Sequence, residues 1–402
     1  MSLRALPPGQ GVPRRQTLLT KFRYVSIVAL LIAAIILTTS GFFVRRHLAT
    51  LPPPAPSLVD AAPVSEGPAT GGFPSECRTP VAPPKRQPWL ESDPVKAEAV
   101  WQAHAADRTK EYVVGTDGFV DWNDNVDLNL SQAIGRRVLS DAEVSAWADY
   151  ISSVERKTAA LGIPFYVLVG PQKWQVYPDN LPEWAQSIRG SGPLDQLLST
   201  DASLPIIDVR GDLRAARAEH STYSRVNSHW SDYGALVGWN AVARCLNKVS
   251  PQVGPFTEPV ISSVSTAEVS EFAPYGVTNP VPDWTIPVYA EPLRPVAITK
   301  SDGLTKEVDG STRSGLLDLP LSTTTIGAQT GASLLLVRDS MSDSLSIPVQ
   351  QAFAQTWQVQ HYLFDPAQTA DIVNLATELR PTVVILEFAQ RYLNNPAPAP
   401  VE

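Results

Sequence analysis

The apolar positions of this chain follow three kinds of pattern, and each predicts a different element. The first is unbroken. Tyr24–Val44 carries only apolar, small or hydroxyl residues, twenty-one in all. At 1.5 Å per residue a helix of that length spans about 30 Å, the thickness of a bilayer core. Residues 1–23 hold Arg4, Arg14, Arg15, Lys21 and Arg23 and no acidic residue, and Arg45 and Arg46 follow the run. A cleaved signal peptide would carry a shorter apolar stretch ending in a small-x-small site. The pattern therefore predicts an uncleaved single-pass transmembrane anchor in the cell membrane. The basic tail 1–23 would stay in the cytoplasm and the main domain would be extracytoplasmic.

The second pattern is helical. Ser140-Asp-Ala-Glu143 reads as a capping box, in which serine and glutamate side chains satisfy the first free N–H groups. Val144, Trp147, Ile151, Val154 and Leu161 then recur at helical spacing, and Gly162 closes the helix. Further helices are expected over Lys96–His104, from a cap at Ser231 or Asp232 to about Asn247, and over Ala367–Leu379. Another is expected over Ile347–Gln358, with Pro348 in its first turn.

The third pattern is the short continuous apolar run of a strand covered on both faces. Ile163–Gly170, Leu204–Val209, Leu334–Val337, Tyr362–Phe364 and Thr382–Phe388 fit it. Alternating with the helices, they predict a doubly wound, mostly parallel α/β sheet of about five strands with flanking helices. Residues 250–330 differ, being rich in Pro, Ser, Thr and Gly. Their short β-like pieces, Trp284–Tyr289 and Val296–Thr299, suggest an insertion or loop-rich lobe over the core. Residues 45–95 read as a proline-rich linker, semi-extended and without apolar periodicity. The folded domain is expected over 96–395.

Composition narrows the partners. A net charge of −8 argues against nucleic acid, since phosphate binding needs a basic face. Two cysteines, Cys77 and Cys245, are too few for a disulfide scaffold and lack metal-site spacing. They are either one bridge tying linker to core in an oxidising compartment, or two independent buried thiols. His220 and His229 are nine residues apart and no HExxH or CxxC is present, so no metal and no cofactor are expected.

The candidate chemistry lies in two loops. Ser340, in Val337-Arg-Asp-Ser-Met341, falls just past the C-terminal end of a predicted strand, where sites form in open α/β sheets. A serine nucleophile needs a base and a set of N–H donors for the oxyanion. The backbone N–H groups of Ser340 and Met341 are candidate donors. His229, in Asn227-Ser-His-Trp230, is the candidate base, and Asn227 the candidate acceptor that fixes its ring.

Four segments carry a family resemblance: Gly115-Thr-Asp-Gly-Phe119; Val169-Gly-Pro-Gln-Lys173 with Tyr177-Pro178 and Leu181-Pro182; Asn227-Ser-His-Trp230 with Gly234-Ala235; and Arg338-Asp-Ser-Met341 with Glu387-Phe-Ala-Gln-Arg391. Together they make residues 112–393 resemble the SGNH-hydrolase-like alginate O-acetyltransferase family, which decorates extracellular polysaccharides. The resemblance implies that Ser340 is the acyl-accepting nucleophile and His229 its base. Lys173, Tyr177, Trp230 and Arg391 would occupy substrate-binding or loop-pinning positions. The acetyl donor would be a multi-pass membrane O-acyltransferase and the acceptor an extracellular or cell-wall polysaccharide.

Two positions depart from the family pattern. Asn227 stands where the family has aspartate, and Arg338 where it has glycine. An amide can hold the ring but brings no full charge, and in a serine triad Asp to Asn costs on the order of 10⁴ in rate. The departures leave three readings: a slow enzyme, one that recruits another carboxylate such as Asp232, or a non-catalytic relative; an esterase with the same residues is the alternative to an acetyltransferase.

Overall fold

The computed structural model describes residues 73–365 and 367–402. The basic tail, the run Tyr24–Val44 expected as an anchor and the linker up to residue 72 lie outside the described residues. Among the described residues no helix is long and apolar enough to cross a membrane.

Twelve strands are present among them: β1 (Tyr112–Val114), β2 (Val120–Trp122), β3 (Phe165–Gly170), β4 (Ile206–Ile207), β5 (Ile261–Ala267), β6 (Trp284–Tyr289), β7 (Val296–Lys300), β8 (Thr305–Val308), β9 (Leu321–Thr324), β10 (Thr330–Arg338), β11 (Phe353–Gln360) and β12 (Val383–Ala389). Eight form one sheet in the order β4-β3-β12-β10-β11-β9-β7-β8. From β4 to β11 the neighbours are parallel. From β11 onward they are antiparallel.

The parallel part is covered on both faces, and residue alternation shows it. Tyr166 and Leu168 of β3, Ile385 of β12 and Leu334 and Leu336 of β10 join one core. Phe165, Val167 and Val169 of β3, Val384, Leu386 and Phe388 of β12 and Leu335 and Val337 of β10 join the other. Each such fully buried aliphatic side chain contributes about 1.5–3 kcal/mol. The helix Asp141–Ala160 covers the second face with Val144, Trp147 and Ile151. The helix Asp232–Val249 covers the first with Trp239, Val242 and Leu246. The capping box is formed: Glu143 N–H donates to Ser140 Oγ at 3.3 Å, and Ser140 N–H to Glu143 Oε2 at 2.8 Å. Gly162 closes that helix at φ 76°, in the left-handed region.

Several expectations are corrected. The helix expected over Ile347–Gln358 runs instead over Ser342–Ala352, which puts Pro348 inside it rather than in its first turn. The chain then enters β11 directly. This strand escapes an apolar pattern because two of its buried residues are polar. Thr356 bonds the Thr323 hydroxyl at 2.6 Å, and Gln358 accepts from Arg338 Nε at 2.9 Å. Tyr362–Phe364, expected as a strand, is a turn with Tyr362 at φ 52°, and the following helix starts at Ile372. Within residues 250–330, β7, β8 and β9 extend the main sheet, while β5 and β6 pair as a separate ribbon.

Residues 73–95, read as linker, pack on the domain. Arg78 donates to the carbonyls of Ala202, Leu204 and Ile206 at 2.6–3.0 Å, and the Trp89 indole N–H to Ile188 O at 2.7 Å. These contacts use backbone carbonyls, which leave no trace in apolar periodicity. Cys77 and Cys245 are joined in a disulfide, with Cα atoms 4.5 Å apart and 168 positions between them in sequence.

Candidate active site

Three adjacent strands aim their C-terminal ends at one place. Past β3 comes Lys173, past β10 comes Ser340, and past β12 comes Arg391. A loop from the other side brings in the histidine. Residues 223–230 close on themselves through a bridge between Tyr223 and Trp230, just before the helix capped by Ser231, whose Oγ accepts from Gly234 N–H at 3.1 Å. A Cβ at Gly234 would stand 2.2 Å from Thr222 O, so only glycine lets this helix start against the loop.

There His229 Nε2 lies 2.8 Å from Ser340 Oγ. On the other side of the ring, Nδ1 lies 3.1 Å from Asn227 Oδ1, which also accepts the backbone N–H of His229 at 2.9 Å. With Asn227 Oδ1 as an acceptor, the proton sits on Nδ1 and the Nε2 lone pair faces the serine hydroxyl. The arrangement can remove the proton of Ser340.

Sequence reasoning missed Glu271. Its Oε2 lies 3.7 Å from His229 Nδ1 and accepts the backbone N–H of Ser228 at 2.8 Å. Its Oε1 accepts from the Trp122 indole at 3.1 Å. Burial pushes its pKa up, but the nearby charge of His229 and the Ser228 donors hold it well below the usual carboxylate range. No motif marks it: it lies between β5 and β6, in the segment without periodicity. Asp232, the carboxylate considered from sequence, is buried and paired with Arg313. Its partner lies elsewhere because the residue belongs to the first turn of a helix.

The other candidates separate by contact. Lys173 is fully buried, and its ammonium donates to the carbonyls of Val120, Ser224, Arg225 and Asn227, the last at 3.0 Å. Burial pushes its pKa down to about 8, against the pull of Asp121, Glu271 and Asp283. Tyr177 accepts Thr222 N–H at 2.9 Å. Trp230 is fully buried and donates to Met341 O at 2.6 Å. All three are buried and pin the histidine loop, the loop-pinning role of the two expected for them.

The N–H of Met341, a candidate oxyanion donor, is given to Asp339 Oδ1 at 2.7 Å. Asp339 in turn accepts Ala389 N–H at 2.7 Å, so it ties the ends of β10 and β12 together. Glu387 beside it is pushed up by burial and by the charge of Asp339, and it accepts from Ser342 Oγ at 2.7 Å. Arg338 does not obstruct the turn. Its guanidinium is buried the other way, donating to Gln358, Asp343 and the carbonyls of Ser314 and Asp339.

Arg391 faces a small polar cleft beside Met341, with Asp121, Asn129, Gln172, Ser228 and Gln390. Its ion pair with Asp127 is loose, at 3.8 Å. The side-chain oxygens of Gln172 and Gln390 there are buried without a partner. Asp121 is pushed up to about 6 by burial, against the pull of Lys173. Among the described residues no three His, Cys, Asp or Glu side chains are grouped as a metal site requires.

Comparison with known proteins agrees with the motif resemblance. Residues 129–274 match the model of the family described as SGNH hydrolase-like domain, acetyltransferase AlgX, which bears out the resemblance drawn from the sequence. That span contains Asn227, His229 and Glu271 but ends before Ser340. Among solved structures, PatB1 of Bacillus cereus with a sulfonyl adduct is 11% identical with a TM-score of 0.50, covering 71% of this chain and 96% of its own. The O-acetyltransferase domain of Pseudomonas putida AlgJ is 15% identical with a TM-score of 0.40, covering 71% and 93%. AlgX of Pseudomonas aeruginosa is 16% identical with a TM-score of 0.34, covering 69% and 61%. No curated protein matches the chain.

Proposed function

We propose that this chain is a membrane-anchored, extracytoplasmic O-acetyltransferase that passes an acetyl group through Ser340 to hydroxyls of a cell-envelope polysaccharide. The observation that carries the reading is the 2.8 Å contact between His229 Nε2 and Ser340 Oγ at the C-terminal edge of the sheet. In the first half-reaction Ser340 Oγ attacks the donor's carbonyl carbon while His229 Nε2 takes its proton. The C–O bond to the leaving group breaks, and the leaving oxygen receives that proton from His229. In the second half a sugar hydroxyl gives its proton to His229, attacks the acetyl-serine and releases Ser340 Oγ, which is reprotonated. The Ser340 N–H is the candidate oxyanion donor.

The family model described as an SGNH hydrolase-like acetyltransferase domain supports acetyl transfer as the reaction class. The donor is proposed to be a multi-pass membrane O-acyltransferase presenting acetyl at the outer face. The Cys77–Cys245 bridge supports an oxidising compartment, and the apolar run Tyr24–Val44 supports the anchor. The test supplies an acetyl ester donor and wall-derived oligosaccharides to the purified chain. Acetylated oligosaccharide that depends on Ser340 is expected. Acetate release without transfer would make the protein an esterase, and neither product would remove the catalytic reading.

A further inference from the structure

The site has an unusual division behind its histidine. Asn227 occupies the position of the orienting acid, and it does orient: it accepts both the Nδ1–H and the backbone N–H of His229. It cannot supply charge. As Ser340 loses its proton, His229 becomes an imidazolium in a half-buried site, and a neutral amide leaves that charge poorly compensated.

Glu271 stands where the charge is needed. Its Oε2 is 3.7 Å from Nδ1, beyond hydrogen-bond reach but within ion-pair reach. It is fixed on both oxygens by neutral donors, Ser228 N–H at 2.8 Å and the Trp122 indole at 3.1 Å. Its own N–H donates to Val226 O at 3.1 Å, joining its segment to the histidine loop. No cation bonds it among these contacts, although Lys173 and Arg391 lie within its field. The other charged groups near this centre have partners of their own. Lys173 is saturated by carbonyls, Asp343 is paired with Arg338 at 2.6 Å, and Arg391 faces Asp127. Asp121 lies buried beside the cleft, its Oδ1 accepting Trp122 N–H at 2.8 Å.

We propose that the two tasks of a triad acid are split here. Asn227 fixes the ring, and Glu271 is a positioning residue whose carboxylate compensates the imidazolium of His229. The inference rests on the acyl-transfer reading, but the charge relation is measurable without turnover. It also gives the segment 250–330 a role, because this segment carries the compensating carboxylate into a site otherwise built by the parallel sheet and the histidine loop.

Two measurements test it on the full chain. The first follows the imidazole of His229 by NMR in histidine-labelled protein. Glu271→Gln is expected to move its titration midpoint to lower pH, by about tenfold or more in proton affinity. An unmoved midpoint overturns the proposal whether or not the protein turns over. The second is kinetic. Glu271→Gln is expected to lower kcat on the order of 10²-fold with KM nearly unchanged. That is less than the 10⁴ of a serine triad, because Asn227 still sets the tautomer. The acid limb of the pH profile should move to lower pH. Adding Asn227→Asp in that background is expected to restore most of the rate, which also shows that the variant is folded. A Glu271→Gln protein with wild-type rate and pH profile overturns the proposal. Wild type that never acetylates Ser340 overturns the acyl-transfer reading alone, and the NMR titration still decides the charge relation.

Discussion

The indole N–H of Trp230 donates to the carbonyl of Met341 at 2.6 Å, joining the residue after the base to the residue after the nucleophile. The two loops meet across 111 positions of sequence, so the spacing of His229 from Ser340 depends on this tie. Trp230→Phe keeps an aromatic ring but removes the donor and part of the buried indole. We expect a stability loss of about 2–3 kcal/mol, the hydrogen bond and the void together. We also expect kcat to fall about tenfold or more with KM nearly unchanged, because small misplacements of a base are costly. Denaturant melts and steady-state kinetics on one preparation check both.

Lys173 is the second tie. Its ammonium is the common donor for four carbonyls from β2 and the histidine loop. Lys173→Met leaves these acceptors short of a donor in a buried place. We expect about 3 kcal/mol of destabilisation, measured by chemical denaturation. Increased protease cleavage within 220–230 should accompany it.

Asp121 sets a pH dependence. Burial raises its pKa from 3.8 to about 6, so between those values the folded state holds a proton that the unfolded chain releases. Stability from this group is therefore intact below about pH 4, falls as pH rises to about 6, and is level above. Asp121→Asn should flatten the stability curve in that window. It should also raise stability at neutral pH by about 3 kcal/mol, the equivalent of some two pK units. Urea melts at a series of pH values check the slope.

The disulfide closes a loop of 168 positions. The chain-entropy relation gives about 5 kcal/mol for a loop of that length, an upper figure for the loss on reduction. Melting with and without a thiol reductant, beside Cys245→Ser, is expected to show a loss of about 2–5 kcal/mol.

How much of this was legible depended on whether a residue's role is local. β3, β10 and β12 were readable because both of their faces are apolar. β11 was not, since its buried Thr356 and Gln358 are satisfied by Thr323 and Arg338, partners that only the assembled sheet supplies. Ser340 and His229 stood out because each sits in a short motif at a loop between elements. Glu271 had no such frame. It reaches His229 through the fold, from a segment whose strands pair outside the parallel sheet. Met341 follows the nucleophile in the motif, but its N–H goes to Asp339, a contact that only the folded turn supplies.

The central claim is that Ser340 carries the acetyl group with His229 as its base. Peptide mass spectrometry after brief exposure to an activated acetyl ester tests it most directly. An acetyl adduct is expected on the peptide containing Ser340, absent in Ser340→Ala and sharply reduced in His229→Ala. A wild-type chain that stays unmodified while a known O-acetyltransferase is labelled alongside it, or an adduct that persists in Ser340→Ala, would contradict it.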